Sequence, residues 1–338
     1  MRSLVTVDLA AIRHNVRVLL DVLGGAELWA VVKADAYGHG AVDVGRAALE
    51  AGASLLCVAT VPEGLELRAA LPEARLLVLG PASAEEVAAA RAARLELAAV
   101  GGPVPEGVPV HLKLDTGMGR WGLSELPAPG RHVVGLMSHF ACADTDEAFT
   151  RAQLERFLAA TAGSSGLVRH MANSAAALRL PEARLDAARC GIALYGVDPF
   201  GRDAAEHGLR AALRWRSEVA VTRLLRPGEG TGYGRRFVAA SPTWVGIVPV
   251  GYADGFRRDL AGTEVLVGGE RARVVGTVSM DAVAVELSGD RPAGTEVTLL
   301  GDGITAEAHA AVAGTIGYEI LCGVRSRPPR ASREVVGG

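Results

Sequence analysis

The chain has 338 residues, 49% of them hydrophobic, which is enough for at least one large core and suggests two domains rather than one. Its 35 Lys plus Arg against 38 Asp plus Glu leave a net charge of -3. That balance gives no electrostatic reason to expect nucleic acid or an anionic membrane as a partner, and it suits a small neutral or zwitterionic ligand better.

Four cysteines, Cys57, Cys142, Cys190 and Cys322, are scattered without a Cys-x-x-Cys pair. This argues against a structural zinc site or a disulfide framework and for reduced thiols. The opening residues 1–8 lack the apolar core of a signal peptide, and no later stretch is long and apolar enough to span a bilayer. The expectation is a soluble, unexported cytoplasmic protein.

In chain order, the first predicted element is a helix over 8–23, where Leu9, Ile12, Val16, Leu19, Leu20 and Leu23 form one apolar stripe. Short apolar runs follow at 28–33, 54–59, 75–79, 95–100, 110–115, 133–138, 167–171 and 185–194, separated by helix-compatible or loop segments. This βα rhythm implies a parallel sheet, and eight repeats of it imply a closed (β/α)8 barrel of the TIM type. After residue 215 the texture changes to closely spaced β-like runs with Gly-rich turns, as at 265–274 around Gly268-Gly269. A mainly-β C-terminal domain is expected there, with one helical insert over 304–315 and a frayed tail beyond 332. The expected limits are 1–212 for the barrel and 213–338 for the β domain, the first few residues being free to join the latter.

Active-site groups of such a barrel gather at the C-terminal ends of its strands. Those ends carry Lys33, the run His111 to Arg120 with Lys113 and Asp115, Ser138-His139, Asn173-Ser174, and Arg189-Cys190-Gly191-Ile192. A buried lysine or arginine is costly unless paired, so such groups favour a ligand site, although they could instead cap solvated strand ends. Lys33 by itself could equally be a snorkelling surface lysine. The set His139-x-x-Cys142-x-Asp144 has metal-ligand residue types but no second cluster, so no metal is expected. Gly230-Thr231-Gly232-Tyr233-Gly234 lacks the spacing and context of a nucleotide loop. His111 and His309 show no convincing partners and are expected to be structural or solvated.

The run Val31-Val32-Lys33-Ala34-Asp35-Ala36-Tyr37-Gly38-His39-Gly40 closely resembles the cofactor-lysine signature of the alanine racemases. These are pyridoxal-phosphate enzymes with a barrel and a β domain. The resemblance continues in order at 111–120, 138–141, 170–175, 189–192, 232–234, 250–255, 279–281 and 317–319. It implies that Lys33 holds pyridoxal phosphate as a Schiff base and that Tyr37, Asn173, Ser174, Gly191, Ile192 and Tyr318 bind the cofactor, chiefly its phosphate. Arg189 would face the pyridine nitrogen and keep it unprotonated, with His170 supporting Arg189 and His139 lying near the ring and contacting Tyr233.

The same resemblance implies two catalytic bases, Lys33 for the α-proton of D-alanine and Tyr233 for that of L-alanine. A phenol keeps its proton at neutral pH unless positive charge or hydrogen bonding favours the anion, and Arg189 acting through His139 would supply that. Arg120 and the Met280 backbone N–H would bind the substrate carboxylate, Tyr252 and Tyr318 would narrow the entry, and Asp281 would accompany Met280. Lys113 matches a lysine that is carbamylated in some members. A homodimer with shared active sites is implied, supplying D-alanine for peptidoglycan. Gly232 stands where many members have serine, and Ser279 where many have cysteine. The rivals are a racemase of broader specificity for serine or basic amino acids, a related decarboxylase and a non-enzymatic cofactor carrier.

Overall fold

The computed structural model describes residues 2–338. The chain divides into two compact units, one formed by Ala11–Phe200 with Ala204–Arg210, the other by the N-terminal segment up to Ala10 with Gly201–Asp203 and Ala211–Gly338.

After an opening strand, β1 (Leu4–Asp8), the first unit closes eight parallel strands into a barrel among the described residues. They are β2 (Glu27–Val31), β3 (Leu55–Val58), β4 (Leu76–Val78), β5 (Glu96–Ala99), β6 (Val110–Lys113), β7 (Val133–Met137), β8 (Val168–His170) and β9 (Ala187–Cys190). Each lies on one of the eight apolar runs read from the sequence. Closure comes from β9 pairing onto β2, with Glu27 opposite Ala187 and Ala30 opposite Cys190. These strands are apolar almost throughout because both faces are covered. Trp29, Val31, Leu55, Cys57, Leu77 and Ala187 pack together as one buried cluster. Their period of two along the strands marks a shared face, while Leu28, Leu56 and Leu76, equally buried, take the other.

The helix Leu9–Leu23 follows its predicted stripe, with Leu9, Ile12, Val16, Leu19 and Leu23 buried and Leu20 partly so. Helices Val61–Ala70 and Ala84–Ala92 both start in capping boxes, Thr60 with Glu63 and Ser83 with Glu86, which satisfy amides that a helix start leaves without partners. Among the described residues no helix is long and apolar enough to cross a membrane.

The second unit is mainly β. It contains β10 (Leu213–Glu218), β11 (Val221–Leu225), β12 (Gly230–Thr231), β13 (Phe237–Val238), β14 (Thr243–Val248), β15 (Glu264–Val267), β16 (Glu270–Val275), β17 (Val283–Leu287), β18 (Glu296–Leu300) and β19 (Ser332–Val336). Among the described residues nine strands run in the order β11-β14-β17-β16-β15-β18-β10-β1-β19, and β12 pairs with β13 alone. The β15–β16 hairpin turns at Gly268 and Gly269, whose φ values of 58° and 87° are those of a two-residue turn that side chains disfavour. One expectation changes here. The tail is not frayed, because Ser332–Val336 pairs in parallel with Leu4–Asp8 from Leu4 opposite Ser332 to Asp8 opposite Val336. The helical insert expected over 304–315 is the helix Ala306–Ala313, ended at Gly314 by a left-handed cap with a φ of 66°, and a second helix, Gly317–Gly323, follows it.

Candidate active site

Lys33 stands just beyond the end of β2 and opens an unusual turn. Ala34, Asp35, Ala36 and Tyr37 have φ of 54°, 51°, 54° and 54°, four consecutive non-glycine residues in the left-handed region. Each such residue costs roughly 1–2 kcal/mol, so the neighbours must over-determine the turn. Glu63 does part of this: one carboxylate oxygen accepts the Ala34 N–H at 2.8 Å and the other accepts those of Ala59 at 2.7 Å and Thr60 at 3.1 Å. Asp35 accepts the Ala41 N–H at 3.0 Å, and His39 Nδ1 donates to the carbonyls of Ala36 and Tyr37 at 3.0 and 3.1 Å. The turn buries Tyr37 and leaves Lys33 half-buried.

The segments after β2, β8 and β9 bring Tyr37, Ser174 and Gly191 together. Asn173 caps the helix Ser174–Arg179 by accepting the Ala176 N–H at 3.0 Å. Ser174 Oγ accepts the N–H groups of Gly191 at 3.0 Å and Ala193 at 3.3 Å. A Cβ on residue 191 would lie 2.4 Å from the Tyr37 hydroxyl, so only glycine permits this approach. Two hydroxyls and a run of backbone N–H groups are a donor set suited to phosphate.

Arg189, on β9, is 4% exposed. Its Nη1 donates to His170 Nδ1 at 2.6 Å and to the His170 carbonyl at 3.0 Å. Its Nη2 donates to the carbonyls of Ser138 at 2.8 Å and Met171 at 3.3 Å and to His139 Nδ1 at 3.2 Å. No carboxylate among the described residues pairs with it, and Nε is left without a protein acceptor. Burial lowers its pKa to about 10, which still leaves it charged at neutral pH. Burial, then the charge on Arg189, push both His139 and His170 well below the usual imidazole range, so both rings are neutral. Since a guanidinium only donates, each ring accepts at Nδ1 and carries its proton on Nε2.

Lys113, at the end of β6, is 4% exposed. Burial first, then the charges of Arg189 and Arg120, lower its pKa to about 8. Its ammonium lies 5.8 Å from the Trp121 ring centroid, and the Arg120 guanidinium lies 5.2 Å from the same ring. Arg120 is exposed at the tip of a loop that Asp115 shapes, its carboxylate accepting the N–H groups of Gly117, Met118 and Gly119 at 2.8–3.2 Å.

In the β unit, Tyr233, Tyr252 and Met280 are 73%, 43% and 50% exposed. Thr277 Oγ1 donates to the Tyr233 carbonyl at 2.9 Å, which ties two loops together. The Met280 turn is held by backbone contacts: Tyr252 N–H donates to the Ser279 carbonyl and Ala253 N–H to that of Met280, both at 3.0 Å. A Cβ on Gly251 would fall 2.2 Å from the Ser279 carbonyl oxygen. Asp281 accepts from Arg330 at 2.6 Å, and buried Asp254 accepts from Arg2 at 2.8 Å and from the Gly251 N–H at 3.0 Å. Tyr318 lies in the helix Gly317–Gly323 and is partly buried.

Residues 7–199 match the family described as alanine racemase, N-terminal domain, and residues 212–332 match alanine racemase, C-terminal domain. The chain belongs to the alanine racemase family. It is 42% identical to the biosynthetic alanine racemase of Pseudomonas aeruginosa, over 98% of this chain and 99% of that one. Its structure resembles that of the alanine racemase from Streptomyces coelicolor A3(2), with a TM-score of 0.92 at 39% identity, over 100% of this chain and 98% of that one. It also resembles the alanine racemase of Bacillus anthracis with bound L-Ala-P, with a TM-score of 0.86 at 33% identity, over 100% and 96% of the two chains.

Within this alanine racemase family chain, Gly232 has a φ of 75°, a conformation that glycine adopts without strain, and Ser279 contributes its carbonyl to the Met280 turn. Two charged residues of the barrel went unrecognised in the sequence. Glu63 carried only a helix-start signature, with no sign that its carboxylate also reaches Ala34. Glu96 sits on a strand otherwise read as apolar. His111 is neither solvated nor without partners: its Nε2 lies 2.8 Å from Glu96 and its Nδ1 lies 2.9 Å from His170 Nε2. The available signal was its position two residues before Lys113 on one strand, which places both on the same face.

Proposed function

We propose that the protein is a pyridoxal-phosphate-dependent alanine racemase that interconverts L- and D-alanine with two bases. It works as a cytoplasmic homodimer that supplies D-alanine for peptidoglycan. The observation that carries this reading is the buried Arg189, a guanidinium with no carboxylate partner and an Nε–H without a protein acceptor. An acceptor nitrogen on a ring ligand satisfies it, and the Tyr37, Ser174 and Gly191 cluster provides for a phosphate. Lys33 at the neighbouring strand end is the amine that holds the aldehyde carbon.

When bound, pyridoxal phosphate supplies the electron sink that makes the α-proton of an attached amino acid removable. The chain's residues do the rest. Tyr37, Asn173, Ser174, Gly191, Ile192 and Tyr318 bind and orient the group. Arg189 keeps its own protons at neutral pH and so leaves the ring nitrogen unprotonated, which restrains transamination. Lys33 moves the proton on one face of the α-carbon and Tyr233 on the other. Neutral His139, with its proton on Nε2, is a hydrogen-bond donor for the Tyr233 hydroxyl oxygen. Arg120 and the Met280 N–H hold the substrate carboxylate. Asp281 steadies the Met280 turn through Arg330, Tyr252 and Tyr318 limit substrate size, and Lys113 supports Arg120, as its carbamate where carbon dioxide adds to the neutral amine. The exposure of Tyr233, Tyr252 and Met280 supports completion of each site by a second copy.

The test is the absorbance of the purified protein together with α-proton exchange of L-alanine in deuterated water. A coloured protein that exchanges the proton and elutes as a dimer is expected, and colour without exchange overturns the catalytic reading. Steady-state racemisation of alanine, serine, lysine and arginine then fixes the substrate, because an apolar pocket rejects an added hydroxyl only modestly. Greater efficiency on a basic amino acid would overturn the assignment to alanine.

A further inference from the structure

Arg189 has no carboxylate of its own, and its hydrogen bonds lead to one across the barrel. The guanidinium donates to His170 Nδ1 at 2.6 Å, so that nitrogen holds a lone pair. A neutral His170 then carries its proton on Nε2, which lies 2.9 Å from His111 Nδ1. His111 Nδ1 must accept, which puts the His111 proton on Nε2, 2.8 Å from Glu96 Oε2. Valence alone fixes every proton in the chain, and only one arrangement satisfies all three contacts.

The surroundings are built for it. Burial holds His111 below its ordinary pKa against the pull of Glu96, and it holds His170 well below, so neither ring takes a second proton at neutral pH. Burial opposes ionisation of Glu96, yet hydrogen bonds from His111 and Arg75 outweigh it and keep the carboxylate charged. Arg75 Nε donates to the other Glu96 oxygen at 3.0 Å. Trp29 walls the two rings, with centroids 4.3 Å from His170 and 5.5 Å from His111. Gly135 makes the room, because a Cβ there would lie 2.2 Å from His111 Nδ1.

We propose that Glu96 is a positioning residue for Arg189, its remote counter-ion acting through the fixed tautomers of His111 and His170. The relay sharpens both imidazoles as acceptors, holds the guanidinium in one orientation and offsets part of its charge. Its effect on catalysis rests on the reading that Arg189 faces the ring nitrogen of the cofactor; its existence does not. Glu96 opens β5, and its hydrogen bonds go to His111 and Arg75.

The test uses the full-length holoenzyme. Two-bond nitrogen-15 to proton spectra of the histidine rings at neutral pH should show His111 and His170 neutral and protonated on Nε2. Protonation on Nδ1, or an imidazolium, in either ring overturns the relay. Glu96→Gln keeps an acceptor for His111 but removes the charge. It should lower kcat by about tenfold, the difference between a charge-assisted and a neutral hydrogen bond, with KM unchanged and the visible absorption band of the cofactor shifted. An unchanged kcat and band in Glu96→Gln overturns the positioning role. Should that variant fail to fold, Glu96→Asp must restore folding and the wild-type band, and a folded Glu96→Asp with a shifted band and full kcat also overturns it. If the wild type has no colour and exchanges no α-proton, the racemase reading fails while the ring spectra still decide the relay.

Discussion

In the barrel, Arg189, His170 and Lys113 are buried side chains fixed by hydrogen bonds and packing, whereas in the β unit Tyr233, Tyr252 and Met280 project from loops and are 43% to 73% exposed. The barrel positions its groups through side chains and their charges. The β unit positions its groups mainly through the backbone, by glycines that allow close contact and by backbone hydrogen bonds at the Met280 turn, with the side chains of Asp254, Asp281 and Thr277 adding bonds across loops. Substitutions in the barrel should therefore act through charge and pH, and those in the β unit through shape. The largest expected effect tests that division at Tyr233, the residue of the β unit proposed to move a proton. Tyr233→Phe removes one hydroxyl from a highly exposed ring, so stability should stay within about 0.5 kcal/mol of wild type. Removal of the α-proton from L-alanine should slow by about 10²–10⁴-fold, the usual worth of a positioned base. Cofactor colour and proton exchange from D-alanine should persist, and unimpaired exchange from L-alanine would remove Tyr233 from its role.

Gly251→Ala comes next and sharpens the backbone half of the comparison. The new Cβ would fall 2.2 Å from the Ser279 carbonyl oxygen and 2.5 Å from backbone atoms of Met280, none of which can swing aside as a side chain does. We expect a loss of about 1–3 kcal/mol in thermal or denaturant unfolding and a raised KM for alanine, because the Met280 turn must move. Gly163→Ala, whose Cβ would meet nothing within 4 Å, is the control and should change neither. A normal KM in Gly251→Ala would show that the turn's position does not matter to substrate.

This division also explains what could be read in the sequence. The barrel strands were legible because a strand covered on both faces is mostly apolar, and eight such runs stood between polar segments even though Glu96, His111, Lys113, His170 and Arg189 interrupt them. Lys33, Arg189 and Tyr233 were legible only as parts of ordered motifs. The hydrogen bonds that hold them were not, since Glu63 reaches Ala34 and Glu96 reaches His111 across separations that no local pattern encodes. The tail was misread for the same reason: residues 332–336 gain order from a partner strand at the opposite end of the chain.

The charge half is tested at Lys113. Its pKa falls from 10.5 to about 8 on folding, so between those values the unfolded chain binds more protons than the folded one. Stability should therefore rise with pH from about 8 towards 10.5, by on the order of 2–3 kcal/mol. Below pH 8 the charged, buried amine is a standing penalty, and Lys113→Met should flatten the profile and gain most at neutral pH. Urea unfolding at several pH values measures this. A wild-type profile already flat between 8 and 10.5 is the outcome expected of a carbamylated lysine, which intact mass and bicarbonate dependence would then identify.

A smaller loss of stability than at Gly251 or Lys113 is expected at Glu63, where the barrel uses a side chain to hold strained backbone. The left-handed turn after Lys33 carries a cost that its neighbours offset, and Glu63 supplies one of the hydrogen bonds that hold it, at Ala34, while its other oxygen accepts from Ala59 and Thr60 at its own helix start. The contacts to Ala34 and Thr60 are solvent-exposed, so Glu63→Ala lets water replace them and should cost only about 1–2 kcal/mol. The turn itself loses its hold on Ala34, the residue next to Lys33. Proton exchange should accordingly suffer more than unfolding does, in both directions of the reaction, while Glu63→Gln keeps one acceptor and should fall between. Equal loss of stability and activity in the two variants would mean that Glu63 serves its helix start alone.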